Sequence, residues 1–284
     1  MHVARTRFGK DLACRWCLTA DQAGQMLKGR LLICRDCGAR TSIIAGTLFS
    51  NTKLPVSSWF YLMLIINNEV RTLPVSFVSR HLGISRQAAF RMLGCIRIHL
   101  EALLEGRVLG GADRIVQVDE TWIPAIKATR GIGPTGVMVF GIYSCEGVYT
   151  KIIAHRTREQ LFSLILTYVH PETIIVTDQL RSYRGLSRLG FRHVSLNHSR
   201  REYVNADGFS SIGIEGYWDN LKYALASNNI TPEREHFPRY LAEHAFQYNC
   251  RKRGLEPFRE MIARFPVVDL RKLPPSVKNF KEVS

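Results

Sequence analysis

The stretch Arg114–Ile–Val–Gln–Val–Asp–Glu–Thr–Trp122 decides the fold, because a run of β-branched residues leads into acidic ones. Such a run is typical of a buried β-strand. A second run, Glu172–Thr–Ile–Ile–Val–Thr–Asp178, has the same form, so each run ends in an aspartate. Carboxylates at strand ends repel each other and are desolvated, and a divalent cation between them offsets both costs. The two runs therefore predict an acidic metal site.

A third acid, Glu215, opens a segment with helical spacing. Its apolar residues form one stripe: Ile214, Trp218, Leu221 and Leu225. The stripe docks the helix on a sheet, and Glu215 lies beside it near the helix start. The 36 residues between Asp178 and Glu215 leave room for a helix, a strand and a loop. Asp119, Asp178 and Glu215 together make the ligand set of a two-metal phosphoryl-transfer site.

Two other acids compete for places in this site. Glu120 follows Asp119, but alternation along a strand directs it to the other face of the sheet. Asp219 lies one turn after Glu215 on the same helix face. It either supports the site from behind or is an ordinary solvated position, and we favour the solvated interpretation.

The flanking segments predict a mixed α/β domain. Strands are expected at residues 115–122, 137–144, 148–155, 173–177 and 191–196, with a short hairpin turn at Cys145–Glu–Gly147. A helix is expected at 156–169, another between the last two strands, and more at 212–265. Residues 196–211 are polar and predict a loop. This order of elements predicts a mixed sheet flanked by helices.

Four cysteines in the N-terminal region have the spacing of a structural zinc site. Cys14 and Cys17 form one Cys-x-x-Cys pair, Cys34 and Cys37 form another, and sixteen residues separate them. A redox Cys-x-x-Cys and four unrelated thiols are the alternatives, and two pairs at this spacing argue against both. Cys95, Cys145 and Cys250 stand alone and are expected to be buried or half-buried residues.

Residues 75–96 carry the pattern of a helix-turn-helix. The pattern predicts two short helices, with Gly83 at the turn and Ser85 as the cap of the second helix. Arg86, Gln87 and Arg91 would then lie on the outer face, where they suit base edges and phosphates. An ordinary helical hairpin is the alternative interpretation.

The bulk composition limits the function classes. The chain has 284 residues, a hydrophobic content of 46% and a formal net charge of +15. It therefore has room for one large domain and one or two small ones, and a polyanion such as DNA is its natural partner. No apolar stretch is long enough to cross a membrane, which predicts a cytoplasmic protein. No phosphate-binding loop of the Gly-x-x-x-x-Gly-Lys type is present, which disfavours an ATP-driven enzyme.

The ordered motifs resemble one family over residues 10–255. They are the cysteine pairs, the helix-turn-helix, Val–Asp119–Glu–Thr–Trp122, Val–Thr–Asp178, Asn197–His–Ser199, Ile214–Glu–Gly–Tyr–Trp218 and Phe246–Gln–Tyr–Asn249. This set is similar to bacterial insertion-sequence transposases of the ISXO type, which are related to the eukaryotic Merlin elements. The stretch Gly131–Ile–Gly–Pro–Thr–Gly136 departs from it, being shorter and less basic than expected after the first acid.

The resemblance implies a ribonuclease-H-like core and DDE chemistry with two Mg²⁺ or Mn²⁺ ions at Asp119, Asp178 and Glu215. It also implies that His198 approaches the DNA or the metals, with a structural loop histidine as the alternative.

We expect a zinc ribbon at 1–50, a helix-turn-helix region at 51–112, a catalytic domain at 113–265 and a loosely held tail at 266–284. The expected function is transposition by an oligomer on DNA. A DNA-binding regulator without catalysis and a nuclease without strand transfer are the alternatives.

Overall fold

The computed structural model describes residues 14, 16–17, 25–28, 30–69, 72–124, 136–197, 204–227 and 236–263. The chain divides into two compact units. The first comprises residues 1–67, 75–103 and 258–284, and the second comprises residues 68–74 and 104–257. His198 and the tail from residue 266 lie outside the described residues, as does most of the 131–136 stretch. The four-part division expected from the sequence stays a prediction.

The first unit begins with a small antiparallel sheet. Its strands are β1 (Gln25–Lys28), β2 (Leu31–Cys34) and β3 (Arg40–Ser42), with β2 in the middle. The tight turn after β2 holds Cys37 close to Cys34, because the backbone N–H of Gly38 donates to the carbonyl of Cys34 at 2.9 Å.

Three helices follow in the first unit: α1 (Val56–Asn68), α2 (Val75–Leu82) and α3 (Arg86–Leu104). Gly83 lies at the turn between α2 and α3, and the backbone N–H of Ala88 donates to Ser85 Oγ at 3.1 Å. The expected turn and cap are therefore present. The expectation of two short helices was wrong for the second one, because α3 has 19 residues. An almost continuous run of buried residues from Met92 to Leu100 extends it through the core of the unit.

The second unit contains a five-stranded sheet and most of the remaining helices. Its elements in chain order are β4 (Ile115–Pro124), β5 (Gly136–Ser144), β6 (Gly147–Ile153), α4 (Arg158–Tyr168), β7 (Ile174–Thr177), β8 (Arg192–Ser195), α5 (Ile212–Ala226) and α6 (Phe237–Lys252). A last helix, α7 (Pro257–Ala263), follows, and most of it belongs to the first unit.

The strand order across this sheet is β6-β5-β4-β7-β8. β4, β5 and β6 pair antiparallel, whereas β7 and β8 continue the sheet parallel to β4. The chain passes through α4 from β6, at one edge of the sheet, to β7, which pairs parallel with β4. The mixed α/β sheet expected from the sequence is confirmed.

One element of the predicted order was wrong. Two short 3-10 helices, Arg181–Tyr183 and Leu186–Leu189, connect β7 to β8 in place of an α-helix. Gly185 and Gly190, both in the left-handed region, flank the second of them and interrupt any longer helix.

The sheet lies between two apolar layers because its strands alternate. One face carries Val116, Val118, Phe140 and Ile142, which pack with Leu161 and Ile165 of α4. The other face carries Ile123, Val137 and Val139, which pack with α5 and α6 through Trp218, Leu221 and Leu241. The predicted stripe on α5 is buried as expected.

The free edge of β6 is closed by a side chain of α6. The carboxamide of Asn249 accepts from the backbone N–H of Val148 at 2.6 Å and donates to its carbonyl at 2.9 Å. Asn249 thereby substitutes for one residue of a further strand. Among the described residues, no helix is both long and apolar enough to span a membrane.

Candidate catalytic and metal sites

Asp119 and Asp178 lie side by side on neighbouring parallel strands. β4 pairs with β7 in a register that ends with Gln117 opposite Val176. Two further residues on each strand bring Asp119 level with Asp178, and adjacent strands are about 4.8 Å apart. Asp178 follows the last residue of β7, as predicted. Asp119 does not end its strand, because β4 continues with β5 to Pro124. The two acids therefore lie where β7 stops and β4 goes on.

A tryptophan of α5 holds Asp119. The indole Nε1 of Trp218 donates to Asp119 Oδ2 at 2.9 Å. This contact depends on Gly141, which pairs with Asp119 across β4 and β5. A Cβ atom at Gly141 would lie 2.6 Å from two carbons of the Trp218 ring. The indole crosses β5 over this glycine to reach the acid.

The start of α5 is joined to β4 at two points, on either side of Glu215. The backbone N–H of Ile214 donates to Gln117 Oε1 at 2.8 Å, and Trp218 donates to Asp119. Glu215 and Trp218 are three residues apart and share a helix face. Glu215 is therefore directed towards the same face of the sheet as Asp119. Asp219, in contrast, is exposed, in agreement with the solvated interpretation.

Each of the three acids already has a hydrogen-bond donor from the protein. Leu180 donates its backbone N–H to Asp178 Oδ1 at 2.9 Å, and Ser211 donates its hydroxyl to Glu215 Oε1 at 2.7 Å. Among the described residues, the three carboxylates do not form a group with all ligand atoms within 4.8 Å. The structure thus brings the acids to one region and holds them apart within it.

Glu120 belongs to this acidic region even though it points to the opposite face. Its carboxylate accepts a hydrogen bond from the hydroxyl of Tyr183, a buried residue of the α4 side. Burial raises the pKa of Glu120 to about 7, and the charges of Asp119 and Asp178 add to the rise. The Tyr183 hydrogen bond and the charge of Arg156 oppose it. Burial is thus the main cause of the shift, and the smaller effect of the two aspartate charges indicates that both lie near Glu120.

The four predicted zinc ligands meet in the first unit. Their sulfur atoms all lie within 4.8 Å of one another. The Cys14 and Cys37 sulfurs are 3.7 Å apart, and the Cys17 and Cys34 sulfurs are 3.6 Å apart. A tetrahedral zinc ion with Zn–S bonds near 2.3 Å requires sulfurs about 3.8 Å apart. The cluster therefore has the dimensions of a four-thiolate zinc site.

The remaining cysteines do not join this cluster. Cys95 and Cys250 are buried, as expected, whereas Cys145 is exposed in the turn between β5 and β6. The expectation that Cys145 is buried or half-buried was wrong, because a tight hairpin turn projects its side chains away from the sheet.

The helix-turn-helix residues lie at the start of α3. Arg86, Gln87 and Arg91 are all exposed, whereas Met92 and the residues after it are mostly buried. Arg91 also donates to the backbone carbonyl of Ser50 at 3.1 Å. The exposed surface of α3 is thus confined to its first two turns. The predicted role of His198 cannot be placed, since this residue lies outside the described part of the chain.

Sequence reasoning missed the residues that hold the acids. Gln117, Ser211 and Tyr183 were not singled out, and Gly141 was treated as an ordinary strand residue. Gln117 had one available signal, since it shares a strand face with Asp119 two residues away. Tyr183 had none, because its contact with Glu120 spans 63 residues of sequence.

Comparisons with known proteins agree with this geometry. Residues 108–249 match the family model described as an ISXO2-like transposase domain. An uncharacterized transposase-like protein of Haemophilus influenzae is 33% identical over 102 residues, which is 36% of this chain and 80% of that protein.

Solved structures with some likeness include two DNA-processing enzymes. The BIV integrase catalytic core has a TM-score of 0.33 at 17% identity, covering 46% of this chain and 82% of that one. A Mos1 transposase paired-end complex has a TM-score of 0.35 at 13% identity, covering 75% and 78%. At scores this low, the ribonuclease-H-like assignment rests on the strand order and the family match.

Proposed function

The chain belongs to the family of ISXO2-like transposase domains, and we propose that Asp119, Asp178 and Glu215 carry its DNA cleavage and strand transfer. Two features of the fold support these three acids as members of one site. The β4–β7 register brings Asp178 level with Asp119, and α5 is fixed to β4 on both sides of Glu215. These two features support a shared site in which the three acids lie on one side of the sheet, at the end of β7.

The donor set fits hard divalent cations. Carboxylate oxygens are the ligands that Mg²⁺ and Mn²⁺ prefer, and all three proposed ligands are carboxylates. When bound, two such ions lower the pKa of the attacking water or 3′-hydroxyl and stabilise the leaving 3′-oxygen. Burial is the main cause of the raised pKa of Glu120, and the added effect of the Asp119 and Asp178 charges supports a local excess of negative charge that cations would offset.

The protein's own groups position the acids. The Trp218 indole fixes one oxygen of Asp119, the Leu180 backbone fixes one of Asp178, and Ser211 fixes one of Glu215. Each of these contacts is a single hydrogen bond from a neutral donor to a carboxylate, worth about 1.5–3 kcal/mol net, so a divalent cation could rearrange the carboxylates at modest cost. The substrate phosphate is then attacked in line by water, to cut, or by the freed 3′-hydroxyl, to join.

The first unit supplies DNA recognition in this proposal. A structural zinc ion held by Cys14, Cys17, Cys34 and Cys37 orders the small sheet, and Arg86, Gln87 and Arg91 contact the element's terminal repeats from the start of α3. The net charge of +15 supports a polyanionic partner. Joining two element ends to a target requires a homo-oligomer on DNA.

The test substitutes each acid by its isosteric amide. Asp119→Asn, Asp178→Asn and Glu215→Gln should abolish Mg²⁺-dependent cleavage of duplexes copied from the DNA that flanks the gene, while gel-shift binding survives. Asp219→Asn is the matched control, because it is an exposed acid on the same helix. Near-normal cleavage by any of the three amide variants would remove that residue from the site.

A strand-transfer assay separates the two alternative functions. A nuclease without strand transfer would cut the duplex and leave no joined product, and a regulator would bind it without cutting. We expect both cut and joined products from the wild-type chain.

A further inference from the structure

The four tryptophans divide into a buried pair and an exposed pair. Trp59 and Trp218 are 2% and 3% exposed, whereas Trp16 and Trp122 are 76% and 46% exposed. The buried pair have satisfied indole N–H groups, since Trp59 donates to Thr52 and Trp218 to Asp119. A single exposed apolar residue needs no explanation by itself. Trp122 needs one because of where it lies.

Trp122 lies three residues beyond Asp119 on the same strand. Alternation places it on the opposite face from Asp119, the face of Glu120. β7 pairs with β4 only as far as Gln117, so Trp122 lies on the part of β4 that extends past the end of β7. The indole therefore lies on the same face as Glu120, two residues further along β4.

The indole rests on a position without a side chain. A Cβ atom at Gly136 would lie 2.5 Å from Cζ2 and 2.6 Å from Cε2 of Trp122. One side of the ring thus covers the Gly136 backbone, while almost half of the residue stays open to solvent. Within the described ranges, its indole N–H has no hydrogen-bond acceptor. One face of the ring is therefore packed against the Gly136 backbone, and the exposed part can contact a ligand.

A cation is held on the Glu120 side of the sheet. Arg156 is exposed and follows the end of β6 by three residues. Its backbone carbonyl accepts a hydrogen bond from Ser182 Oγ, next to Tyr183, which itself binds Glu120. Arg156 is thereby fastened to the segment that lines the Glu120 side. An aromatic ring and a cation near one site are the elements that bind single-stranded nucleic acid.

We propose that Trp122 stacks on an unpaired nucleobase at the DNA end and that Arg156 binds a phosphate of the same strand. The inference rests on the proposed function, because it needs DNA at the acidic site. Stacking suits an end that is being cut, since a terminal base leaves the duplex more easily than an internal one. The indole recognises the flat face of any base, so the contact fixes position without reading sequence.

The probe is a short duplex with a single-stranded thymidine overhang, titrated into the full-length Trp16→Phe chain. In that background Trp122 is the one exposed tryptophan, so quenching of the emission reports on it. We expect quenching on binding. Trp122→Ala should weaken binding of the overhang duplex by about 10- to 100-fold and leave a blunt duplex nearly unaffected. Trp122→Phe should keep most of the affinity, and Leu166→Ala, an exposed apolar control on α4, all of it.

Two further measurements make the proposal falsifiable. Replacing the overhang bases by abasic sites should remove the difference between wild type and Trp122→Ala. Arg156→Gln should lower the slope of log binding constant against log salt by about one phosphate contact. An unchanged affinity in Trp122→Ala, or a deficit that persists with abasic DNA, would overturn the proposal.

The outcomes also separate this inference from the proposed function. If the wild-type chain cuts DNA and Trp122→Ala binds overhangs normally, only the stacking role fails. If the wild-type chain does not cut DNA at all, the proposed function fails. Loss of self-association in Trp122→Ala without any change in DNA binding would assign the ring to a protein contact and contradict the proposal.

Discussion

The thiolate cluster and the carboxylate site differ in how closely the protein holds side chains that could bind a cation. The four cysteine sulfurs lie within 4.8 Å of one another, at distances that a tetrahedral ion requires. The three acids are brought to one region, but a separate hydrogen bond holds each of them. Neutral thiols can be packed together without a cation, whereas carboxylates repel each other. In the proposed function, the first site would keep its ion and the second would exchange ions and substrate.

The pKa of the Cys37 thiol supports this contrast. A hydrogen bond from the Ala39 backbone lowers it, but partial desolvation and the three neighbouring cysteines raise it to about 12. Without a metal the Cys37 thiol therefore stays protonated near neutral pH. A bound zinc ion would reverse this by deprotonating the thiols outright.

The largest expected effect comes from removing metal at the thiolate cluster. Structural zinc sites of this type contribute about 10–16 kcal/mol near neutral pH, more than the stability of most domains. We expect a strong chelator, or Cys34→Ser, to abolish amide protection in β2 and β3, as measured by hydrogen exchange. The same chelator should leave protection in β4 and β5 unchanged, because protein groups already hold the carboxylates.

Two controls accompany that measurement. Cys145→Ser removes an exposed thiol outside the cluster and should change neither zinc content nor exchange. If elemental analysis found no zinc in the wild-type chain, the interpretation of the thiolate cluster as a zinc site would be wrong.

A smaller effect is expected from pH at the carboxylate site. The pKa of Glu120 rises from 4.5 to about 7 on folding. A raised folded-state pKa means that the folded chain holds the proton more tightly. The stabilising contribution of Glu120 is therefore fully present below its pKa in the unfolded chain, and it is lost as the pH rises through 7. The loss should approach about 3 kcal/mol in the free energy of unfolding.

Glu120→Gln isolates this contribution, because the other acids affect the pH dependence of stability equally in wild type and variant. The difference between wild type and Glu120→Gln should grow from pH 4.5 to 7.5 in denaturant titrations, in favour of the variant. Mg²⁺ should reduce the difference by compensating the nearby charge. Glu172→Gln, at an exposed turn, is the control. A pH-independent difference would show that folding does not raise the pKa of Glu120.

The smallest effect tests how the protein holds the first acid. Gly141→Ala places a methyl group where the Trp218 ring lies, so the indole must shift away from Asp119. Overpacking of this kind costs about 1–3 kcal/mol of stability. We expect a matching fall in melting temperature and cleavage slowed by about 10- to 100-fold, since the loss resembles that of a group supporting a metal ligand.

A nearby glycine without such a contact gives the control. Gly216 is on α5, beside Glu215, and a Cβ there would meet nothing within 4 Å. Gly216→Ala should therefore keep cleavage near normal. Equal loss of cleavage activity in both variants would mean that the slower cleavage does not come from the loss of the contact between Trp218 and Asp119.

The sequence predicted the parts of the site that local patterns encode. β-Branched runs located Asp119 and Asp178, and helical spacing located Glu215 and its buried stripe. The cysteine spacing predicted the thiolate cluster because two close pairs allow few other geometries. The positions of Gly83 and Ser85 followed from the chemistry of a tight turn and a helix cap.

The parts that the sequence did not predict depend on residues distant in the chain. Asp119 seemed to end a strand, but pairing with β5 carries β4 five residues further. Glu120 seemed irrelevant, because alternation alone gives its face and not its proximity to Asp178. Both misses concern a tertiary partner, which no local pattern contains. The 3-10 turns after Asp178 are a different case, because the two glycines that interrupt a helix there are visible in the sequence.

The clamp of Asn249 on Val148 has a consequence for how the chain is made. The two residues are 101 positions apart, so the edge of β6 has no partner there until α6 has been synthesised. During that interval the ribosome-bound chain exposes a strand that any other chain could extend. A chain that ends before residue 249 would therefore leave this part of the β6 edge uncapped and open to pairing with another chain.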